Sequence, residues 1–137
     1  MKVLLDTNIV LDVLLDRKPF VQSAAKIFAL TEQSQLKSYL CATTITTVDY
    51  LLLQALEKSQ ARSAYKLLIG LFEIAPVNRP VIEQALGSKV QDFEDAVLEQ
   101  AAHLVGAQVI ISRDTKDFKK SVVKTLEPIE FLESFKT

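Results

Sequence analysis

The sequence has little of several residues that mark particular protein classes. Its 137 residues include one cysteine, Cys41, and no tryptophan, so an internal disulfide is excluded and a reducing, cytoplasmic location is expected. Glycine and proline are scarce, at 3 and 4 residues, which argues against a disordered chain. No apolar run approaches the roughly 20 residues of a membrane span, and Asp6 interrupts any signal-peptide core. The single histidine, His103, lies among alanines without a metal-binding motif, so zinc is not expected.

The rest of the composition is that of an ordinary globular protein. Hydrophobic residues make up 49% and charged residues 24%, with no repeats or linkers, so we expect a single domain over residues 1–137. The formal net charge of −1 neither favours nor excludes a nucleic-acid partner. If a metal neutralised four of the 17 acids, the 16 Lys and Arg residues would exceed the other 13 acids by three.

Strand-like and helix-like segments alternate along the chain. Predicted strands cover 2–5, 38–42, 73–77, 108–112 and 122–126, and predicted helices cover 7–15, 20–32, 43–58, 61–72, 81–86, 93–105, 115–119 and the segment from 128. Thr43 or Thr44 is expected to cap the third helix, and Asp92 and Gly106 are expected to bound the sixth. The alternation predicts an α/β fold with a largely parallel sheet, in which ligands bind beyond the carboxyl ends of the strands.

Two of the predicted strands end in an aspartate. Asp6 follows the first strand, and Asp114 follows the strand predicted over 108–112. Both carboxylates are therefore expected at the ligand-binding edge of the sheet. A helix cap explains either aspartate taken alone, whereas two such ends in a small domain, accompanied by further acids, favour a functional site.

Asp49 is an acid on an otherwise apolar face of a predicted helix. Its helical neighbours are Ile45, Leu52 and Leu53, so its carboxylate is expected to need a partner or a metal. A buried salt bridge or a hydrogen bond to a threonine remains an alternative to a metal site.

The densest acidic group is the segment 92–95. Asp92 and Asp95 are three residues apart and share one side of a helix start, while Glu94 is expected to point elsewhere into solvent. Capping by Asp92 and a favourable helix-dipole position for Asp95 explain the pair equally well. Asp117, three residues after Asp114, either shares a face with it or caps a short helix.

Taken in order, these motifs resemble the PIN domain family, and most closely the small bacterial domains related to VapC toxins. The matching segments are residues 5–8 (LDTN), the helix carrying Asp49, 92–96 (DFEDA), 111–118 (ISRDTKDF) and 128–132 (PIEFL). The resemblance covers nearly the whole chain, and the ordered combination is more specific than any single motif.

The resemblance implies a three-layer α/β/α fold with a central, largely parallel five-stranded sheet. It also implies a groove of catalytic acids, Asp6, Asp49, Asp95 and Asp114, of which Asp6, Asp95 and Asp114 match the family's metal ligands. Asp49 stands where these proteins commonly have a glutamate, which is one methylene longer. The residues expected to support the site are Thr7, Asn8, Asp92, Ser112 and Asp117, and Arg113 is expected to contact substrate phosphate.

Ligands that are all oxygen atoms favour Mg²⁺ or Mn²⁺, with which such a site activates water for attack on a phosphodiester. The resemblance therefore implies a metal-dependent endoribonuclease acting on RNA, the toxin of a toxin–antitoxin pair with an antitoxin partner, and a homodimer. One alternative is a PIN domain that binds RNA or protein but cleaves poorly, as the aspartate at position 49 suggests. A receiver-like phosphoacceptor or an aspartate-nucleophile phosphatase is a second alternative, disfavoured because Asn8 replaces a needed acid.

Overall fold

The computed structural model describes residues 1–135, so residues 136 and 137 of the expected domain lie outside the described residues. The strands are β1 (Lys2–Leu5), β2 (Lys37–Cys41), β3 (Glu73–Ala75), β4 (Val109–Ile111) and β5 (Lys124–Leu126). The helices are α1 (Thr7–Leu14), α2 (Val21–Glu32), α3 (Ala42–Leu52), α4 (Lys58–Leu71), α5 (Arg79–Leu86), α6 (Phe93–Leu104) and α7 (Pro128–Ser134), with a 3₁₀ helix at Thr115–Phe118.

The strands form one sheet in the order β3-β2-β1-β4-β5, and every neighbouring pair is parallel. The predicted five-stranded, largely parallel sheet is therefore confirmed. β1 is the central strand, paired with β2 on one side and β4 on the other. This arrangement places the residues that follow β1 and β4 side by side at one edge of the sheet.

Helices cover both faces of the sheet, and alternate side chains of the central strand β1 are buried on opposite sides. Val3 and Leu5 of β1 join a core built with α1, α2, α3, α4 and α7, whereas Leu4 joins a second core built with α5 and α6. The predicted three-layer α/β/α architecture is confirmed. None of the helices within residues 1–135 is long and apolar enough to cross a membrane.

The third and fourth helices differ most from the sequence prediction. α3 ends at Leu52 rather than at 58, and α4 begins at Lys58 rather than at 61. The reason is a capping box, in which the Glu57 side chain accepts from the backbone of Gln60 while the Gln60 side chain accepts from the Glu57 N–H. The expected cap at Thr43 or Thr44 was wrong, since Cys41 occupies the N-cap position without a side-chain cap.

The predicted bounds of α6 agree closely with the structure. Asp92 is the N-cap, with its carboxylate accepting from the Asp95 N–H at 3.0 Å. Gly106 follows the helix at φ +77°, a backbone conformation that glycine adopts without strain. The cap thereby fixes the residue at which α6 begins.

Candidate active site

Asp6 lies at the junction of β1 and α1, and its side chain is almost buried, at 8% exposure. One carboxylate oxygen, Oδ1, accepts from the Thr7 N–H at 2.8 Å. Asp6 therefore caps α1, which is the role that a helix cap alone would give it. The other, Oδ2, accepts from the Ser112 hydroxyl at 2.7 Å. Capping and membership of the acidic site are thus both properties of the same residue.

Ser112 and Asn8 connect the end of β1 to the loop after β4. The Ser112 Oγ accepts from the Asp114 N–H at 2.9 Å while donating to Asp6. The Asn8 carboxamide donates to Asp114 Oδ2 at 3.1 Å and accepts from the Arg113 N–H at 3.3 Å. Ser112 and Asn8 therefore orient the two aspartates and brace the loop that carries Asp114.

The start of α6 brings further carboxylates to the same region. Desolvation raises the pKa of Asp95 to about 7, and the negative charges of Asp6, Asp92, Asp117 and Glu94 add to this effect. Partial burial and repulsion together make the charged form of Asp95 costly unless a cation is bound. Asp95 therefore lies within electrostatic range of Asp6, Asp92 and Asp117.

Burial also raises the pKa of Asp6, the most enclosed of these acids. The hydrogen bonds from Ser112 and Thr7 oppose this shift, whereas the charges of Asp114 and Glu94 reinforce it. Asp6 and Asp114 are thus electrostatically coupled as well as joined through Ser112.

Glu94 was expected to point away from the site, but its charge lies close enough to act on Asp95. Its side chain is exposed, as predicted, but it accepts from the Thr47 hydroxyl of α3 at 3.2 Å. Thr44 of the same helix accepts from the Thr7 hydroxyl at 3.3 Å. The side of α3 that faces the site is therefore lined with threonine, a signal visible as the Thr-rich segment 43–47.

Asp49, also on α3, makes a different contact. Its Oδ1 accepts a hydrogen bond from the Tyr65 hydroxyl of α4. Asp49 is not among the described charges that shift the pKa of Asp6 or Asp95. The expected polar partner exists, but it is a tyrosine rather than a threonine, and a metal-binding role for Asp49 stays a prediction.

Arg113 has an acidic partner that the sequence did not indicate. Its Nε and Nη2 donate to the two oxygens of Asp12 at 2.8 and 3.1 Å, and Asp12 is fully buried at 0% exposure. The guanidinium also lies 3.9 Å from the centre of the Phe20 ring. The side chain is thus engaged in the fold, and its expected contact with substrate phosphate stays a prediction.

The arrangement of the acids limits how many of them one metal ion can contact. Within residues 1–135, no group of three His, Cys, Asp or Glu side chains is arranged to hold one ion. The clustered donors are nevertheless all oxygen atoms, and Mg²⁺ commonly binds through one or two carboxylates with water completing its shell. The donor chemistry therefore suits a hard divalent ion held by few protein ligands.

Comparison with known proteins places this geometry in a family. A family model described as PIN domain matches residues 2–116. The chain belongs to the PIN domain family. The expected resemblance is confirmed, and the receiver-like and phosphatase alternatives are set aside.

Similar proteins with this PIN fold include a curated relative and several solved structures. Ribonuclease VapC1 of Aquifex aeolicus (strain VF5) is 27% identical over 141 residues, covering 99% of this chain and 96% of the relative. A toxin-antitoxin complex from Klebsiella pneumoniae contains a chain with TM-score 0.68 and 22% identity, covering 92% of this PIN domain and 97% of that chain. VapC20 of Mycobacterium tuberculosis, a Sarcin-Ricin loop cleaving toxin, has TM-score 0.68 and 16% identity, with 89% and 98% covered.

Proposed function

We propose that this PIN domain is an Mg²⁺- or Mn²⁺-dependent endoribonuclease and the toxin of a toxin–antitoxin pair. The observation that carries the proposal is the convergence of acids from β1, β4 and α6 at one edge of the sheet. Asp6 and Asp114 are joined there through Ser112, and Asp95 is close enough to Asp6 for its pKa to be raised. The curated relative VapC1, named a ribonuclease, supports the choice of RNA as substrate.

Asp6, Asp95 and Asp114 are the residues proposed to hold the metal, one or two of them directly and the remainder through water in its shell. A bound Mg²⁺ or Mn²⁺ would supply a water activated for attack on phosphorus and would neutralise charge on the phosphate. Ser112 and Asn8 keep Asp6 and Asp114 in their relative positions. Asp92 and Asp117 surround Asp95 with negative charge, so Asp95 has a strong preference for a cation when it is ionised.

Incubation of RNA with purified protein and Mg²⁺, Mn²⁺ or EDTA tests this proposal. We expect cleavage by the wild type, its loss in EDTA and its loss in an Asp6→Asn/Asp114→Asn double variant. Asp16→Asn is the matched control, because Asp16 is exposed at the opposite end of α1 in a left-handed conformation that asparagine tolerates.

The outcomes separate the two candidate functions. Equal cleavage by the wild type and the double variant would mean that these acids are not the site. Retained metal-independent RNA binding without cleavage would favour the weakly catalytic binding module. The observation that keeps this second candidate open is the engagement of Asp49 by Tyr65 rather than by the acidic cluster.

The toxin role has its own test. The structural neighbours include a chain of a toxin-antitoxin complex, which supports an antitoxin partner for this chain. Expression is expected to arrest bacterial growth, and co-expression of the protein encoded by an adjacent small gene is expected to relieve the arrest. Normal growth despite abundant folded protein would contradict this role. We also propose a homodimer, which sedimentation at several concentrations tests.

A further inference from the structure

A cleft of about 480 Å³ borders the acidic cluster. One wall is the segment 89–92 between α5 and α6, and the other belongs to the 3₁₀ helix and the residues after it. Asp92 and Asp117 line the cleft, so it opens directly beside the carboxylates that surround Asp95. Any chain lying in the cleft would extend towards the proposed catalytic acids.

Lysine dominates the charge of this cleft. Four lysines line it, Lys89, Lys116, Lys119 and Lys120, against two aspartates, although the whole chain has a net charge of −1. Among residues 1–135, none of the four forms an ion pair. A second cleft of about 320 Å³ shares Lys116 and Lys119 and adds Lys124. Positive charge thus continues along the surface on both sides of the 3₁₀ helix.

A buried carboxylate fixes both walls of the cleft. Glu99 of α6, only 1% exposed, accepts from the Ser88 hydroxyl at 2.6 Å and from the Val122 N–H at 2.9 Å. Ser88 precedes one wall and Val122 follows the other, so Glu99 holds them at a set separation. Val90 and Phe118 also pack in the same core cluster beneath the two walls. The cleft is therefore a formed feature of the fold and does not depend on the placement of mobile side chains alone.

The first residue of α6 adds an aromatic surface. Phe93 follows Asp92 directly, and its side chain is 49% exposed. Exposed aromatic rings commonly stack on unpaired bases in proteins that hold single-stranded nucleic acid.

We propose that this lysine-lined cleft binds the backbone phosphates of single-stranded RNA and leads the strand to the acidic cluster. The inference rests on the proposed ribonuclease function and assigns its substrate path. The lysines supply charge along the strand, while the acids beside them hold the cation that the scissile phosphate needs.

The test compares two pairs of lysine substitutions. Lys89→Gln/Lys120→Gln removes one charge from each wall, and Lys58→Gln/Lys66→Gln removes two exposed charges from α4, on the opposite face of the sheet. Binding of a labelled single-stranded RNA is measured in EDTA at several salt concentrations, and cleavage is measured separately with Mn²⁺. Each lost phosphate contact is expected to reduce the slope of log K against log salt by about 0.7.

A reduced slope and weaker binding in the cleft pair, with the α4 pair unchanged, would support the proposal. Equal effects of the two pairs, or none, while the wild type still cleaves RNA, would overturn the cleft assignment and leave the ribonuclease proposal standing. Duplex DNA bound as tightly as the single strand, with the same dependence on Lys89 and Lys120, would also overturn it. A wild type that neither binds nor cleaves RNA would instead overturn the ribonuclease proposal.

Discussion

Arg113 and Asp12 form a bidentate ion pair that joins the loop after β4 to α1. The Arg113 Nε lies 2.8 Å from Asp12 Oδ2, and Asp12 is buried. Arg17 adds a longer contact, 3.8 Å from Asp12 Oδ1. Because Arg113 is adjacent to Asp114, the pair holds the backbone from which one proposed metal ligand projects.

Asp12→Asn is expected to destabilise the protein by about 3 kcal/mol, because it leaves the Arg113 guanidinium without its buried counter-charge. Glu83→Gln removes one partner of the exposed Arg79–Glu83 pair and is expected to cost about 0.5 kcal/mol or less. Urea unfolding of the two variants measures both values. Similar small losses in both would show that the buried pair contributes little to stability.

Ser112→Ala is expected to lower RNA turnover about 10- to 100-fold, the range for residues that orient metal ligands. The substitution removes the donor to Asp6 and the acceptor for the Asp114 N–H. Single-turnover cleavage with saturating Mn²⁺ is the measurement, and circular dichroism checks folding. Ser63→Ala, which removes an exposed hydroxyl bonded only to the Ser59 carbonyl, is the control and should retain full turnover.

In the absence of metal, the raised pKa of Asp95 makes stability depend on pH. Between the ordinary value of 3.8 and the folded value of about 7, the unfolded chain loses this proton while the folded chain keeps it. The contribution of Asp95 to the free energy of unfolding is therefore complete below about pH 4 and is lost as the pH rises to about 7. Thermal unfolding in EDTA should show Asp95→Asn becoming increasingly more stable than wild type across that window. A constant or reversed difference would contradict the raised pKa.

Asp49→Asn is expected to reduce RNA turnover by about tenfold, the lower end for a supporting residue, and far less than Asp6→Asn. The reason is that Asp49 is bonded to Tyr65 and does not belong to the charges that act on Asp6 and Asp95. Parallel measurement of the two variants under identical Mn²⁺ conditions decides this. Equal losses would show that Asp49 acts as a metal ligand during cleavage.

Tyr65→Phe removes the hydroxyl that donates to Asp49 and so tests the same contact. Burial and the neighbouring Asp49 raise the pKa of Tyr65 to about 12. A spectrophotometric titration of the wild type should therefore include a tyrosine that ionises near that value, and the variant should lack it. A variant titration curve that keeps this late step would show that Tyr65 is not its source.

The sheet and its flanking helices could be predicted because each depends on local pattern. Apolar runs such as Val109–Ile111 and the Asp92 and Gly106 boundaries of α6 are visible in the sequence. The α3–α4 junction was misplaced because a glutamate at position 57 is an unusual N-cap, which acts here through its reciprocal bond with Gln60.

The acids of the site could be predicted from the sequence, whereas several of their contacts could not. Asp6 and Asp114 follow strands, and that placement brings them together in a parallel sheet. The partnership of Asp12 with Arg113 spans 101 residues and leaves no periodic signal, so an aspartate in an apolar helix gave no indication of its partner. The Tyr65–Asp49 contact was missed because it depends on how α3 packs against α4.

The central position of β1 also determines when the site can exist. Asp6 is synthesised early, yet Ser112, whose hydroxyl donates a hydrogen bond to it, lies 106 residues later in the chain. Contacts of such long sequence separation form late and slowly in folding. The proposed active site consequently requires the chain through β4, and partial translation products that end before β4 lack both Ser112 and Asp114. The strand order thus places the completion of the proposed site well after the synthesis of its first residue.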